Sequence, residues 1–209
     1  MLPRFLQPVL IAALALTTVA TAQQANVTHA KPNYGKLPLV FEANQGQTDP
    51  SVKFLTRGEG YTAFLTSSGL TLSLRSPEAA TADHASASAA NRTLQLNFLG
   101  TRKNSSVSGE EKQSGRVNYF LGSNPALWHT NVPTYGEVRY NGIYRGIDLL
   151  YHGTDRQLEY DLEVRPGADP RAIKFEVQGA DQIKLDVRGN LLLKIDSGEL
   201  RLQCPVVYQ

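Results

Sequence analysis

From about Leu37 onward, the apolar residues of this chain recur at every second position. Leu70, Leu72 and Leu74 alternate with Thr71, Ser73 and Arg75, and Leu94, Leu96 and Phe98 alternate with Gln95 and Asn97. Val117, Tyr119 and Leu121 form a third set. Leu158, Tyr160, Leu162 and Val164 alternate with Glu159, Asp161 and Glu163. Ile173–Val177, Ile183–Val187, Leu191–Ile195 and Leu200–Cys204 follow the same rule. Successive side chains of a strand point to opposite faces, so each set supplies one buried face and one wet face. A helix would need apolar residues at spacings of three and four. Beyond the first residues of the chain no such stripe is found.

Turn chemistry separates the runs. Arg57-Gly58-Glu59-Gly60, Ser67-Ser68-Gly69, Arg188-Gly189-Asn190 and Asp196-Ser197-Gly198 each contain glycine, which tolerates the backbone angles of tight hairpins. Short strands punctuated in this way predict an all-β chain. The expected architecture is an antiparallel β-sandwich-like or open-barrel-like module with hairpin meanders. Residues 173–204 read most clearly as one meander. Ser76–Asn91, rich in alanine and serine, and Thr101–Ser114 read as polar loops. Residues 37–209 are expected to be one module, or two packed subdomains divided near 101–114.

The first 22 residues follow a different pattern. Arg4 precedes an uncharged apolar run, Val9–Ala20, that ends in Ala20-Thr21-Ala22. This is the pattern of a cleavable signal peptide, and the run is shorter than the ~20 apolar residues a spanning helix needs. The expectation is an exported chain, cut before Gln23, that is secreted, periplasmic or held at the cell surface with no stable membrane span. Residues 23–36 read as a flexible leader.

Charge narrows the function classes. The chain has 21 basic and 19 acidic residues. Cleavage removes only Arg4, which leaves 20 against 19, a net of +1. Nucleic-acid domains carry a basic patch or stripe, and none is visible, so no nucleic-acid partner is expected. Cys204 is the only cysteine, so an internal disulfide and a cysteine-rich metal cluster are excluded. Its alternation with Leu200 and Leu202 predicts a small core residue.

No G-x-S-x-G elbow, phosphate loop or dinucleotide fingerprint occurs, so no cofactor is expected. His29, His84, His129 and His152 lack zinc-site spacing, and no metal is assigned. Glu159, Asp161 and Glu163 share one strand face. Strand neighbours two apart lie roughly 6–7 Å from one another, close to the ~5–5.5 Å of a retaining glycosidase pair. The same row also suits calcium, or is simply a wet face. Aromatics concentrate between Tyr119 and Tyr160. Tyrosine is a good strand residue, but it also stacks on sugar rings. The candidate ligand surface therefore comprises Trp128, Tyr135, Tyr140, Glu159 and Asp161, with no catalytic residue assigned.

Two long stretches carry a resemblance. They are LPLVFEANQGQTDPSVKFLTRGEGYTAFLT (Leu37–Thr66) and GRVNYFLGSNPALWHTNVPTYGEVRYNGIYRGIDLLYHGTDRQLEYDLEVRPGADPRAI (Gly115–Ile173). With the closing Pro205-Val206-Val207-Tyr208-Gln209, they resemble the N-terminal module of bacterial SBBP (β-propeller) repeat proteins. The resemblance implies a large secreted or surface protein in which this module precedes propeller-type repeats. It implies no catalytic residues. The repeats are absent here, and Pro205–Gln209 reads as a strand in progress, so a truncated chain is expected. The function expected is non-catalytic, a structural or interaction role beside C-terminal propeller repeats. A carbohydrate-binding module and a secreted glycoside hydrolase are the alternatives, with a glycan or a surface protein as partner.

Overall fold

The computed structural model describes residues 38–75, 92–154, 156–196 and 198–208. All lie in one compact unit, Asn33–Gln209. The segments expected to be a signal peptide, a leader and the Ser76–Asn91 loop fall outside the described residues.

The fold is all-β. Ten strands form one curled antiparallel sheet: β1 (Phe41–Ala43), β2 (Val52–Arg57), β3 (Tyr61–Thr66), β4 (Gly69–Leu74), β5 (Arg92–Phe98), β6 (Ser106–Tyr119), β7 (His129–Tyr144), β8 (Ile147–Thr154), β9 (Gln157–Val164) and β10 (Phe175–Gln178). A separate three-stranded sheet follows, made of β11 (Gln182–Leu185), β12 (Leu191–Ile195) and β13 (Gly198–Leu202). Two single 3-10 turns, Pro125–Leu127 and Pro170–Ala172, complete the regular structure described.

The sixteen-residue β7 organises the large sheet. β6 runs along one edge, pairing Lys112 with Tyr135 and Gly109 with Val138. On the other edge Tyr135 pairs with Phe41 of β1, while Val138 pairs with Tyr151 of β8. β1 and β8 therefore share one edge of β7, end to end. From that fork one leaf runs β1-β2-β3-β4-β5-β10 and the other runs β8-β9.

The leaves close over one core. Phe41, Phe54, Leu65, Leu72 and Leu94 meet Val138, Tyr140, Tyr144, Leu149 and Tyr151 there, and Leu193 and Ile195 of the small sheet join them. The alternation read from the sequence fits this arrangement: Leu70, Leu72, Leu94 and Leu96 all point inward. β8 is buried on both faces from Ile147 to Tyr151.

Four features correct the sequence reading. Residues 106–114, expected within a loop, belong to β6. Their Ser, Gly and Glu residues hide a strand that pairs with β7 through most of its length. The 173–204 meander is split: β10 pairs with β5 in the large sheet, and only β11-β12-β13 form a meander. Cys204 lies beyond the end of β13 and is exposed, not a core residue. Residues 203–208 are not in a strand.

Candidate functional site

The five candidate residues do not converge on one place. Tyr140 is 1% exposed. Its hydroxyl donates to the Thr66 carbonyl at 2.7 Å, and its ring packs edge-on against Phe98 and Tyr151. Burial pushes its phenol well above the usual range. Tyr140 thus ties the two leaves together and offers no surface to a ligand. Tyr135 is half-buried, edge-on to Phe54 of the core. Its ring lies over Gly109, where any Cβ would sit 2.5 Å from it. Glycine at 109 makes room for that ring.

The reason lies in β7. Tyr135 and Val138 both point into the core although they are three residues apart. Even positions are buried on both sides of Gly136, at Val132, Thr134, Val138 and Tyr140, and the half-buried Tyr135 packs against the core as well.

Trp128 occupies a different setting. The uncharged segment Phe120–Trp128 connects β6 to β7. Phe120, Leu121 and Leu127 are each more than half exposed, and Trp128 is 36% exposed. The segment is nevertheless held in place. Asn124 caps the 3-10 turn by accepting from the Ala126 N–H at 3.0 Å, and the Trp128 N–H donates to the Pro125 carbonyl. The indole N–H donates to the Gly122 carbonyl at 3.2 Å, and Phe120 packs perpendicular to the indole with ring centres 5.1 Å apart.

The base of this loop is anchored by residues the sequence reading did not select. Tyr119 donates to one oxygen of the buried Glu42 carboxylate, and Arg57 donates to the other. Arg57 also donates to the Tyr119 hydroxyl at 2.9 Å and lies over its ring. Burial, then the bond to Glu42, raises the Tyr119 phenol. The signal in the sequence is Glu42, an acid set between Phe41 and Ala43 where a strand begins. Beside the anchor, the loop after β1 approaches the start of β7: a Cβ on Gly46 would meet the His129 ring at 2.9 Å. An open depression lined by Asn44, Gly46, Thr48, Pro50, Val52 and Lys53 lies on that loop.

Glu159 and Asp161 lie on the outer face of β9, where His152 of β8 sits directly opposite Glu159. His152 Nε2 is 3.0 Å from Asp161 Oδ2, and Thr154 donates to Glu159 at 2.6 Å. Further along, Arg139 grips Glu163 with both terminal nitrogens and Glu110 with Nε at 2.9 Å. Those partners raise the Arg139 guanidinium. Each carboxylate is thus engaged by a neighbour across the strands. Among the described residues no group of histidine, cysteine and acidic side chains is arranged to hold a metal ion. Trp128 lies in the loop before β7, whereas Glu159 and Asp161 lie on β9.

These features define the chain as an all-β module with one forked sheet, an anchored apolar loop and a charged outer face. It belongs to the family described as a domain of unknown function, DUF7948, whose family model matches residues 41–209. No curated protein and no solved structure matches the chain.

Proposed function

We propose that this chain is a non-catalytic structural module of an exported bacterial protein that packs against propeller-type SBBP repeats through the Phe120–Trp128 loop. The observation that carries the reading is the loop itself, which exposes Phe120, Leu121, Leu127 and Trp128 and is held by hydrogen bonds of Tyr119 and Trp128. Exposed apolar patches with a polar surround mark interaction sites. A preorganised loop loses little conformational freedom on docking. The resemblance of Leu37–Thr66 and Gly115–Ile173 to the module that precedes SBBP repeats supplies the partner.

The test titrates the full chain with a separately purified SBBP repeat domain and measures affinity by calorimetry. Leu127→Asp should weaken binding at least tenfold without lowering the melting temperature. Equal affinity of both variants, or turnover of polysaccharides by the purified chain, overturns the reading.

A second reading, carbohydrate binding, draws on Trp128. Its indole N–H is already satisfied within the loop, so the exposed part of the ring is an apolar surface suited to a sugar. A glycan array separates the two readings: signal lost on Trp128→Ala favours the sugar, and a blank array favours the protein partner.

A further inference from the structure

Six basic residues gather where three connections meet at one end of β7. Arg102 and Lys103 lie in the segment 99–105 between β5 and β6, and Arg145 lies in the turn between β7 and β8. Arg165, Arg171 and Lys174 lie in the segment 165–174 between β9 and β10. All six are exposed. Hydrogen bonds fasten the three connections to one another. The Arg102 N–H donates to the Ile143 carbonyl at 3.0 Å, the Arg165 N–H to the Gly146 carbonyl at 2.9 Å, and the Leu99 N–H to the Lys174 carbonyl at 2.9 Å. The Tyr144 hydroxyl also donates to the Lys174 carbonyl, at 2.7 Å. The cations therefore stand on a platform that is already ordered. Only Arg102 and Lys103 are neighbours in sequence, so pairing of the strands creates the cluster.

Little negative charge opposes it. The three segments hold one acid, Asp169, whose carboxylate caps a 3-10 turn by accepting from the Arg171 N–H at 3.0 Å. At the bordering strand ends, Asp148 is bound by Arg165, Glu163 by Arg139, and Glu176 by Gln178. Among the described residues, Arg102, Lys103, Arg145, Arg171 and Lys174 form no ion pair. A surface of one sign raises the local potential and draws in the opposite charge.

The neighbours of the cations select among anions. Leu99, Val164 and Phe175 border the platform and are 45%, 43% and 40% exposed. The three segments contain no tyrosine or tryptophan, the side chains on which single-stranded nucleic acid and sugars stack. Cations beside exposed apolar side chains match a surface that is anionic outside and hydrocarbon beneath. We infer that this end of the fold docks on an anionic lipid surface, with the five unpaired cations serving the headgroup phosphates and Leu99, Val164 and Phe175 the acyl boundary. It lies at the opposite end of β7 from the Phe120–Trp128 loop, so the inference does not rest on docking to propeller repeats.

Co-sedimentation of the full chain with lipid vesicles tests this. Vesicles of phosphatidylcholine and phosphatidylglycerol in equal parts should bind about tenfold or more tightly than vesicles of phosphatidylcholine alone, and added salt should weaken the binding. Arg145→Glu, Arg171→Glu and Lys174→Glu combined should remove that preference. Lys112→Glu, Lys184→Glu and Arg188→Glu combined make the same change in net charge elsewhere on the surface and should keep most of it. Any binding through the apolar run Val9–Ala20 is common to parent and variants, and neutral vesicles measure it. Circular dichroism of both triple variants should match the parent, because the altered side chains are exposed. If the first one misfolds, Arg145→Glu alone decides, with about a threefold loss expected. Equal binding to neutral and anionic vesicles, or an equal loss in the two triple variants, overturns the assignment. So does tighter binding to duplex DNA or heparin than to the anionic vesicles, because the partner is then a polyanion and not a lipid surface.

Discussion

The Tyr119 hydroxyl donates to the Glu42 carboxylate, seventy-seven residues away in sequence, and thereby fastens the end of β6 to β1. Arg57 closes the triangle by donating to both partners. A hydrogen bond to a charged, buried acceptor contributes about 1.5–3 kcal/mol. Tyr119→Phe should therefore lower unfolding free energy by about 2 kcal/mol in chemical denaturation. Because the lost tie sits at the base of the Phe120–Trp128 loop, Trp128 fluorescence should also shift in the native state. An unchanged midpoint would show that Arg57 alone satisfies Glu42.

Asp148 contributes to the acid limb of stability. Burial pushes its carboxyl up, but the Gly142 N–H and the Arg165 guanidinium more than offset this and hold it below the usual carboxylate value. A depressed folded value means that the ionised form is the stabilised one. Its contribution is complete above the unfolded value of 3.8 and is lost as pH falls through the lower, folded value. Asp148→Asn should be less stable at pH 7 and show a flatter loss of stability below pH ~4, as followed by denaturation midpoints across a pH series.

Glu137 acts in the opposite sense. It lies directly across from Glu110 on β6. Burial first, then Glu111 and Glu110, raises its carboxyl above the usual value, so its ionised form is disfavoured in the fold. The cost is present at neutral pH and is relieved as pH falls through the raised value. Glu137→Gln should stabilise the protein by about 0.5 kcal/mol at pH 7, the scale of a like-charge cross-strand pair. The gain should vanish in acid; a gain that persists at low pH would point to packing instead of charge.

Thr56 is fully buried on β2, and its hydroxyl has no hydrogen-bond partner among the described residues. A buried hydroxyl without a partner costs about 1–3 kcal/mol relative to one in water. Thr56→Val keeps the shape and removes the polar atom, so thermal unfolding should move upward by the equivalent of about 1 kcal/mol. A downward shift would mean that the hydroxyl is satisfied by water in solution.

Much of the large sheet was legible because leucines at 70, 72, 94 and 96 obey the period of a strand buried on one side. β6 was not, because an edge strand with wet flanks needs few apolar residues, and Ser108, Gly109, Glu110 and Glu111 read as a loop. The candidate surface failed at Tyr140 for a different reason. In β7 the even positions Val132, Thr134, Val138 and Tyr140 are buried and Tyr135 packs against the core too, so a two-residue period alone does not tell which side of this strand is wet. Trp128 was legible, since proline and glycine around it mark a loop. Its anchor was not, because Glu42, Arg57 and Tyr119 are brought together only by pairing across three strands.

The fork at β7 also orders events in time. Tyr144 pairs with Ile147 across a two-residue turn, whereas Tyr135 waits for Phe41, ninety-four positions earlier in the chain. Closing the short loop costs far less entropy than closing the long one. The β7–β8 hairpin, like the equally short β8–β9 and β3–β4 hairpins, is therefore cheaper to close, and β1, which occupies the remaining half of the β7 edge, pairs with it at a greater entropic cost. Until it arrives, that half stands open to any other extended segment, so the interval before β1 docks is when a nascent copy is most exposed to mispairing with its neighbours.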